Sequence, residues 1–411
     1  MKRPKPPIPI QLQPKSETMP ILPLLNRSPD SLLAEGWTAS QFSAATLSLA
    51  VRLRAHNVRA AALWFDDAAR FASALLAAWL AGAEVYLPPN LAEENRRWAE
   101  AGGAAWLSDV PEVSDGLWLY DGAAEQAAAP AEALGWPSEN VLYLKTSGSS
   151  GEAKVEAKTR AQMQAEAAAL AERLPENWRG LAAVGSVSPQ HLYGLTFRVF
   201  VSLAAGWVIG RRQCVYPELL LADSRRECVW IASPALLNRL GEGRDWARLR
   251  QNVRGIISAG GMLPGATAAL LQEKLGFAPH DVYGSTETGV MALRQGGAWE
   301  LLPAVEASVN EENIFQVASP WSGGVRQTAD AVRLDGRRLE LLGRQDRIIK
   351  LEDKRVSLAQ LEHDLLAHGW VADAHCARHP QYGRIAAWAA LSAEGIAALR
   401  EQGRAAVVHT L

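Results

Sequence analysis

The stretch Thr146-Ser147-Gly148-Ser149-Ser150-Gly151 gathers hydroxyls and glycines, and Lys154 closes it. Such residues suit the wrapping of a polyphosphate. Glycine lets backbone N–H groups turn toward an anion, hydroxyls add donors, and a lysine supplies a compact positive charge. The spacing is not that of the Walker loop, which needs Gly, four residues and then Gly-Lys-Ser/Thr. A flexible surface loop uses the same residue types, so this stretch gains meaning only from what accompanies it. Two more stretches carry chemistry. Asp281-Val282-Tyr283-Gly284-Ser285-Thr286-Glu287-Thr288-Gly289 sets an aromatic face, a bare backbone, a hydroxyl and a carboxylate side by side. Leu342-Gly343-Arg344-Gln345-Asp346-Arg347-Ile348-Ile349-Lys350 alternates charges ahead of a short strand predicted over residues 347–350.

In this order and at these separations, the three stretches resemble the adenylate-forming superfamily: acyl-CoA synthetases, peptide-synthetase adenylation domains and luciferases. The resemblance runs from Trp37 to the C-terminus. It implies ATP-dependent activation of a carboxylic acid to an acyl-adenylate, with release of pyrophosphate. Transfer to a thiol follows, either of CoA or of the phosphopantetheine of an acyl carrier protein. ATP and Mg²⁺ are the implied cofactors. By the same resemblance Thr146, Ser147, Gly148, Ser149, Ser150 and Gly151 cradle the phosphates, with Lys154 beside them. Tyr283 stacks on adenine and Gly284 lets the base approach. Thr286 donates to the α-phosphate, and Glu287 holds Mg²⁺, a hard cation that prefers carboxylate and phosphate oxygens. Gly260 and Gly261, in Ala259-Gly260-Gly261-Met262, form the adenine edge. Asp330, in Thr328-Ala329-Asp330, accepts from the ribose hydroxyls with Arg344 in support. His191 and Gly194, in Pro189-Gln190-His191-Leu192-Tyr193-Gly194, border the acyl pocket. Asp346 is the hinge about which a C-terminal lobe swings, and Lys350 serves the thioester-forming conformation.

The chain also departs from the superfamily pattern. Ser150 stands for Thr, Ala153 for Pro, Val155 for Gly and Ala329 for Gly, which leaves the donors of the phosphate loop in place. Asp353 stands where a glycine borders the thiol tunnel, adding bulk and negative charge on the path of a thiolate. The superfamily's adenylation lysine lies near the end of the C-terminal lobe, whereas the last lysine here is Lys354. Slow adenylation by the chain as given is the expectation that follows. A rival reading is a non-catalytic module that binds a nucleotide or an acyl-adenylate. A second rival, a P-loop kinase or NTPase, predicts ADP as product and lacks its Walker spacing here.

The elements that must position these residues are legible from pattern. Apolar runs at 60–65, 84–87, 105–107, 117–120 and 141–144 read as strands, with an amphipathic helix at 67–81 between the first two. A helix at 161–174 is expected directly after the phosphate loop. Strands follow at 181–188, 228–232 and 255–258, with helices at 234–240 and 264–275. This alternation predicts an α/β fold with largely parallel sheets. After Tyr283 the pattern turns β-rich, with antiparallel strands at 314–317, 331–334 and 339–341, where the superfamily places a small barrel-like region. A helix at 358–367, a hairpin of 371–377 with 385–391 and a helix at 393–402 make a partial α+β C-terminal lobe. Residues 405–408 look like the start of another strand. The expected domains are an N-terminal disordered arm at 1–18, a large domain at 19–343, a hinge at 344–347 and the partial lobe at 348–411.

Composition sets the remaining bounds. At 411 residues the chain is long enough for more than one domain. Its 42 basic and 44 acidic residues leave no net charge field for nucleic acid. Cys214, Cys228 and Cys376 fit neither a disulfide framework nor a metal spacing, so a reducing cytoplasm is expected. No apolar run reaches the roughly 18–20 residues of a membrane span. Fifteen tryptophans exceed the tyrosines and phenylalanines combined; most are expected to pack in the core or at its edge, with a few lining an acyl pocket. An aromatic or medium-chain acid is the expected substrate.

Overall fold

In the computed structural model, residues 28–113, 117–123, 136–137, 139–146, 154–310, 314–344, 347–351, 354–379 and 384–411 are described. The expected arm, Ser147, Gly148, Ser149, Ser150 and Gly151 of the phosphate loop, Asp346 and Asp353 lie outside them. The helix expected as amphipathic forms over Ala68–Ala81 and is buried on nearly every side. It lies between two sheets, against the Ala60–Trp64 and Glu84–Leu87 strands on one side and Val208–Gln213 on the other. A helix covered all round must be apolar all round, and its alanines keep it thin enough for both sheets to approach. Asp67 caps it by accepting from the N–H groups of Ala69 and Arg70.

One sheet has six strands, in the spatial order Trp118–Leu119, Ala105–Ser108, Ala60–Trp64, Glu84–Leu87, Val141–Thr146, Lys154–Thr159. All neighbours are parallel except the last pair. That pair corrects an expectation. The phosphate loop does not lead straight into a helix; it closes a hairpin. Lys154–Thr159 returns antiparallel to Val141–Thr146, with Thr146 opposite Lys154, and only then does helix Arg160–Arg173 begin. Thr159 starts that helix with a capping box shared with Gln162.

The other sheet has eleven strands. Its parallel part runs from His280–Ser285 through Val253–Ser258, Cys228–Ala232, Ala182–Gly185 and Val208–Gln213 to Leu32–Ala34, beside which Trp37–Thr38 pairs antiparallel at the edge. Its antiparallel part continues from His280–Ser285 through Gly289–Gln295, Trp299–Leu301 and Arg338–Arg344 to Asp330–Asp335. The β-rich region adds a separate three-stranded sheet of Glu306–Val309, Phe315–Ala318 and Arg326–Thr328. Wide parallel sheets flanked by helices, a small β-rich region and an α+β C-terminal part make up the expected fold class. Beyond Arg344 come the two-stranded sheet Ile348–Leu351/Lys354–Ser357, helix Leu358–Leu366 and the hairpin Val371–Arg378/Ile385–Leu391.

The strand expected at 405–408 is not formed. Ala393–Thr410 is helical through a kink at Gly403, where φ is 81°. The hairpin beside it stays two-stranded among the described residues. With no edge taking up Val407 and Val408, their β preference loses to continuation of the helix.

Candidate active site

The cavity opens at the C-terminal ends of strands, where open α/β sheets bind ligands. Its volume is about 280 Å³. The Val141–Thr146 strand contributes Leu144, Lys145 and Thr146; the end of His280–Ser285 and the turn after it contribute Val282, Gly284, Ser285 and Thr286. Ala259 and Gly260 follow Val253–Ser258, and His191, Leu192, Tyr193, Thr196 and Phe197 form the remaining wall. Five of the sequence-predicted residues therefore meet on one space: Thr146, His191, Gly260, Gly284 and Thr286. The Thr146 hydroxyl donates to the Lys154 carbonyl at 3.3 Å, tying the two ends of the phosphate loop together.

Gly284 needs a bare backbone because of what lies beside it. A Cβ there would lie 2.3 Å from the Gly289 carbonyl oxygen, because the strand pair shifts register between Tyr283 and Gly284. Ser285 and Thr288 then lock the turn through their hydroxyls, with the Ser285 N–H donating to Thr288 at 3.1 Å.

Tyr283 packs against Trp299, with ring centroids 5.8 Å apart. Its hydroxyl donates to Asp330 Oδ2 at 2.5 Å. Burial first, and then the Asp330 carboxylate, push the phenol well above its ordinary pKa, so it remains a donor. Asp330 and Arg344 face each other across the antiparallel pair. Adenine-stacking and ribose-accepting candidates are thus joined directly, a link that sequence order alone did not give. Gly261 sits one residue beyond Gly260 and does not line the cavity. Lys350 lies on the Ile348–Leu351 strand.

Glu287 is partly buried beside the Thr286 rim. Among the described residues none donates a hydrogen bond to its carboxylate, and no cluster of three metal-ligating side chains occurs. One open carboxylate with phosphate oxygens and water completing the shell is the way Mg²⁺ is ordinarily held. The donor set therefore fits Mg²⁺ on a nucleotide and does not fit an all-protein metal cage.

The acyl-pocket expectation divides. His191 lines the cavity. By surface area the residue is exposed, yet the surrounding protein desolvates the imidazole enough to pull its pKa down. Gly194 does not line the cavity. It is buried where a Cβ would meet the Ser188 carbonyl oxygen at 2.0 Å, so it is a packing position. Tyr193 turns its hydroxyl away, donating to the Ile257 carbonyl at 2.8 Å and to that of Ala232 at 3.3 Å. The wall it shares with Leu144, Leu192, Phe197, Val282 and Val290 is apolar. Thr196 and Phe197 belong to a π-helix over Leu195–Val201, a wide helical turn common at functional sites.

Sequence reasoning missed the polar pair behind this wall. Lys158 and Glu166 are each 2% exposed. Lys158 Nζ donates to the Glu287 and Trp321 carbonyls, both at 3.1 Å. Glu166 accepts from the Val290 N–H at 2.6 Å and the Thr196 hydroxyl at 3.1 Å. Burial draws the Lys158 pKa down and the Glu166 pKa up, each held back by the other's charge. The readable signal was Lys158 on an inward position of a strand-like Lys154-Val155-Glu156-Ala157-Lys158-Thr159 run.

The family described as AMP-binding enzyme matches residues 89–313, more than half of the chain. Curated protein sequences give no match. Among solved structures, ATP-bound MatB from Rhodopseudomonas palustris superposes with a TM-score of 0.75 at 18% identity, covering 90% of this chain and 88% of that one. O-succinylbenzoate coenzyme A synthetase (MenE) from Bacillus subtilis in complex with AMP gives 0.70 at 20% identity, covering 90% and 88%. The amide bond synthetase McbA from Marinactinospora thermotolerans gives 0.72 at 18% identity, covering 93% and 92%. At these identities the likeness is one of fold.

Proposed function

The chain belongs to the AMP-binding enzyme family, and we propose that it activates a carboxylic acid as its acyl-adenylate and hands the acyl group to a thiol. The observation that carries this reading is the shared cavity. It joins the end of the phosphate-loop hairpin, the Gly284–Thr286 rim and an apolar wall, with the open Glu287 carboxylate beside it. The acid's carboxylate oxygen attacks the α-phosphorus of ATP, the bond to the bridging oxygen breaks, and pyrophosphate leaves. Lys154 and Thr146 flank the phosphates, Thr286 donates to the α-phosphate, and Tyr283 covers the adenine. Glu287 would hold Mg²⁺, which neutralises phosphate charge when bound. A thiol then attacks the acyl carbon and AMP departs. We read CoA or a carrier protein's phosphopantetheine as the acceptor; MenE is a coenzyme A synthetase and McbA an amide bond synthetase.

The wall favours a medium-sized or aromatic acid, because its polar atoms are spent on backbone and its open surface is apolar. We further propose that residues 348–411 swing about 344–347 between the two half-reactions. In support, the eleven-stranded sheet ends at Arg344 and the next strand belongs to a separate two-stranded sheet. Three buried free cysteines suit a cytoplasmic setting, and no helix among the described residues is long and apolar enough to cross a membrane.

The reading is tested by ATP–pyrophosphate exchange with a panel of aliphatic and aromatic acids. Acid-dependent exchange is the expected result. ATP and AMP binding with no exchange for any acid would favour a non-catalytic binding module.

A further inference from the structure

We propose that Lys158 and Glu166 are positioning residues, clamping the Glu287–Val290 turn at its two ends and fixing it to the phosphate-loop hairpin. This rests on the adenylation reading above. Both residues come from the segment that follows the phosphate loop: the return strand Lys154–Thr159 and helix Arg160–Arg173. Lys158 sits opposite Leu142 in the hairpin and takes the carbonyl of Glu287 itself. Glu166, on the helix, takes the N–H of Val290, three residues on. Trp321 closes the frame: its carbonyl accepts from Lys158, and its indole N–H donates to the Val290 carbonyl at 3.0 Å. Gly289, inside the turn, leaves no slack, since a Cβ there would lie 2.5 Å from Trp321 and 2.6 Å from Glu166 Oε1.

Two buried charges cost desolvation, and apolar packing of similar volume is often at least as stable. What apolar packing cannot supply is orientation. The ammonium fixes the direction of the Glu287 carbonyl, and with it the base of the side chain that reaches the nucleotide. The carboxylate fixes Val290 and Thr196, which both line the cavity. The clamp therefore joins three parts of the site that lie far apart in sequence: the phosphate hairpin, the Glu287 turn and the acyl wall.

The test uses the full chain. Lys158→Met alone leaves Glu166 buried without its counter-charge, so the principal variant is Lys158→Met/Glu166→Gln, which removes both charges and keeps the shape. AMP affinity without metal should stay within about twofold. The Mg²⁺ concentration that half-saturates ATP binding should rise about tenfold, as when a group supporting a metal ligand is lost. Turnover should fall on the order of 10²-fold, as for a misplacement on the 1 Å scale. Adding Glu287→Gln should then cost little more, because the clamp acts through Glu287. An unchanged Mg²⁺ midpoint and turnover, or a Glu287→Gln cost that multiplies in full, would overturn the proposal. Amide exchange of the unmodified, metal-free protein gives an arm independent of variant folding. Val290 should exchange far more slowly than Met262, which is exposed and outside any helix or strand, and equal rates would remove the clamp. Failure of the adenylation reading looks different, as absence of acid-dependent ATP–pyrophosphate exchange in the unmodified protein, and leaves the amide-exchange result standing.

Discussion

The two ends of the His280–Ser285 strand have opposite characters. At its start the polar groups face protein. Arg294 donates twice to Asp281 Oδ2, at 2.6 and 3.1 Å, and the His280 ring packs edge-on to Trp178 with centroids 5.2 Å apart. At its end the polar groups face the cavity. Gly284 and Ser285 are exposed, Thr286 lines the space, and the Glu287 carboxylate has no donor among the described residues. The strand is the same piece of backbone throughout, and residue types alone would not separate an Asp at one end from a Glu at the other. What separates them is whether the protein has already satisfied the side chain. A carboxylate paired by its neighbours anchors the sheet; one left open is available to a ligand.

The sharpest way to break this contrast is Glu287→Gln. An amide is a poor ligand for a hard cation, so acid-dependent exchange should fall on the order of 10²-fold or more, with the thermal midpoint unchanged. A normal rate and Mg²⁺ dependence would remove Glu287 from the site. Next in size is Tyr283→Ala. Loss of an adenine stack should weaken ATP binding by about 1–3 kcal/mol, with the acid's half-saturation little changed. Calorimetry that found equal losses for both ligands would make Tyr283 a packing residue.

Asp281→Asn probes the other end. It removes one charge from a largely buried pair, so denaturant unfolding should show a loss of about 1.5–3 kcal/mol. Exchange activity of the folded enzyme should stay near that of the parent. A catalytic defect without a stability defect would erase the distinction between the two ends.

The smallest effect is a pH dependence at His280. Burial holds its pKa below the ordinary imidazole value of 6.5. On acidification the unfolded chain therefore takes up a proton first. The associated stability is present in full above about 6.5 and drains away from there down to the folded-state value. His280→Gln should flatten that slope between pH 7 and 5, leaving a residual part from His191, whose pKa is lowered in the same sense. An identical slope would show His280 protonated alike in both states.

The ends of strands were readable because their chemistry is local. Hydroxyls, glycines and a lysine in one loop, or Tyr283 to Glu287 in one turn, need no tertiary knowledge. The parallel sheets were readable from apolar runs such as Cys228–Ala232, where every residue is buried. The return strand Lys154–Thr159 alternates charged with small or apolar residues, which hid that its Lys158 faces inward and is buried. Glu166 was hidden in the polar face of a helix for the same reason: its partners, Val290 and Thr196, are 124 and 30 residues away. Helix Ala39–Ala55 left a signal that went unread, the Thr38–Gln41 capping box. Gly194 looked like a pocket residue because it shares with His191 a motif resembling one that borders the acyl pocket; only the backbone path shows it packed against Ser188.

In the proposed reaction the acid itself attacks the α-phosphorus. That is tested most directly by supplying a turned-over acid with both carboxylate oxygens as ¹⁸O, together with ATP, Mg²⁺ and a thiol, and analysing the nucleotide by mass spectrometry. Attack by the acid leaves one of its oxygens on phosphorus when the thiol displaces the adenylate. The predicted result is AMP carrying a single ¹⁸O, formed together with pyrophosphate. Unlabelled AMP, or ADP with the label in inorganic phosphate, would contradict it.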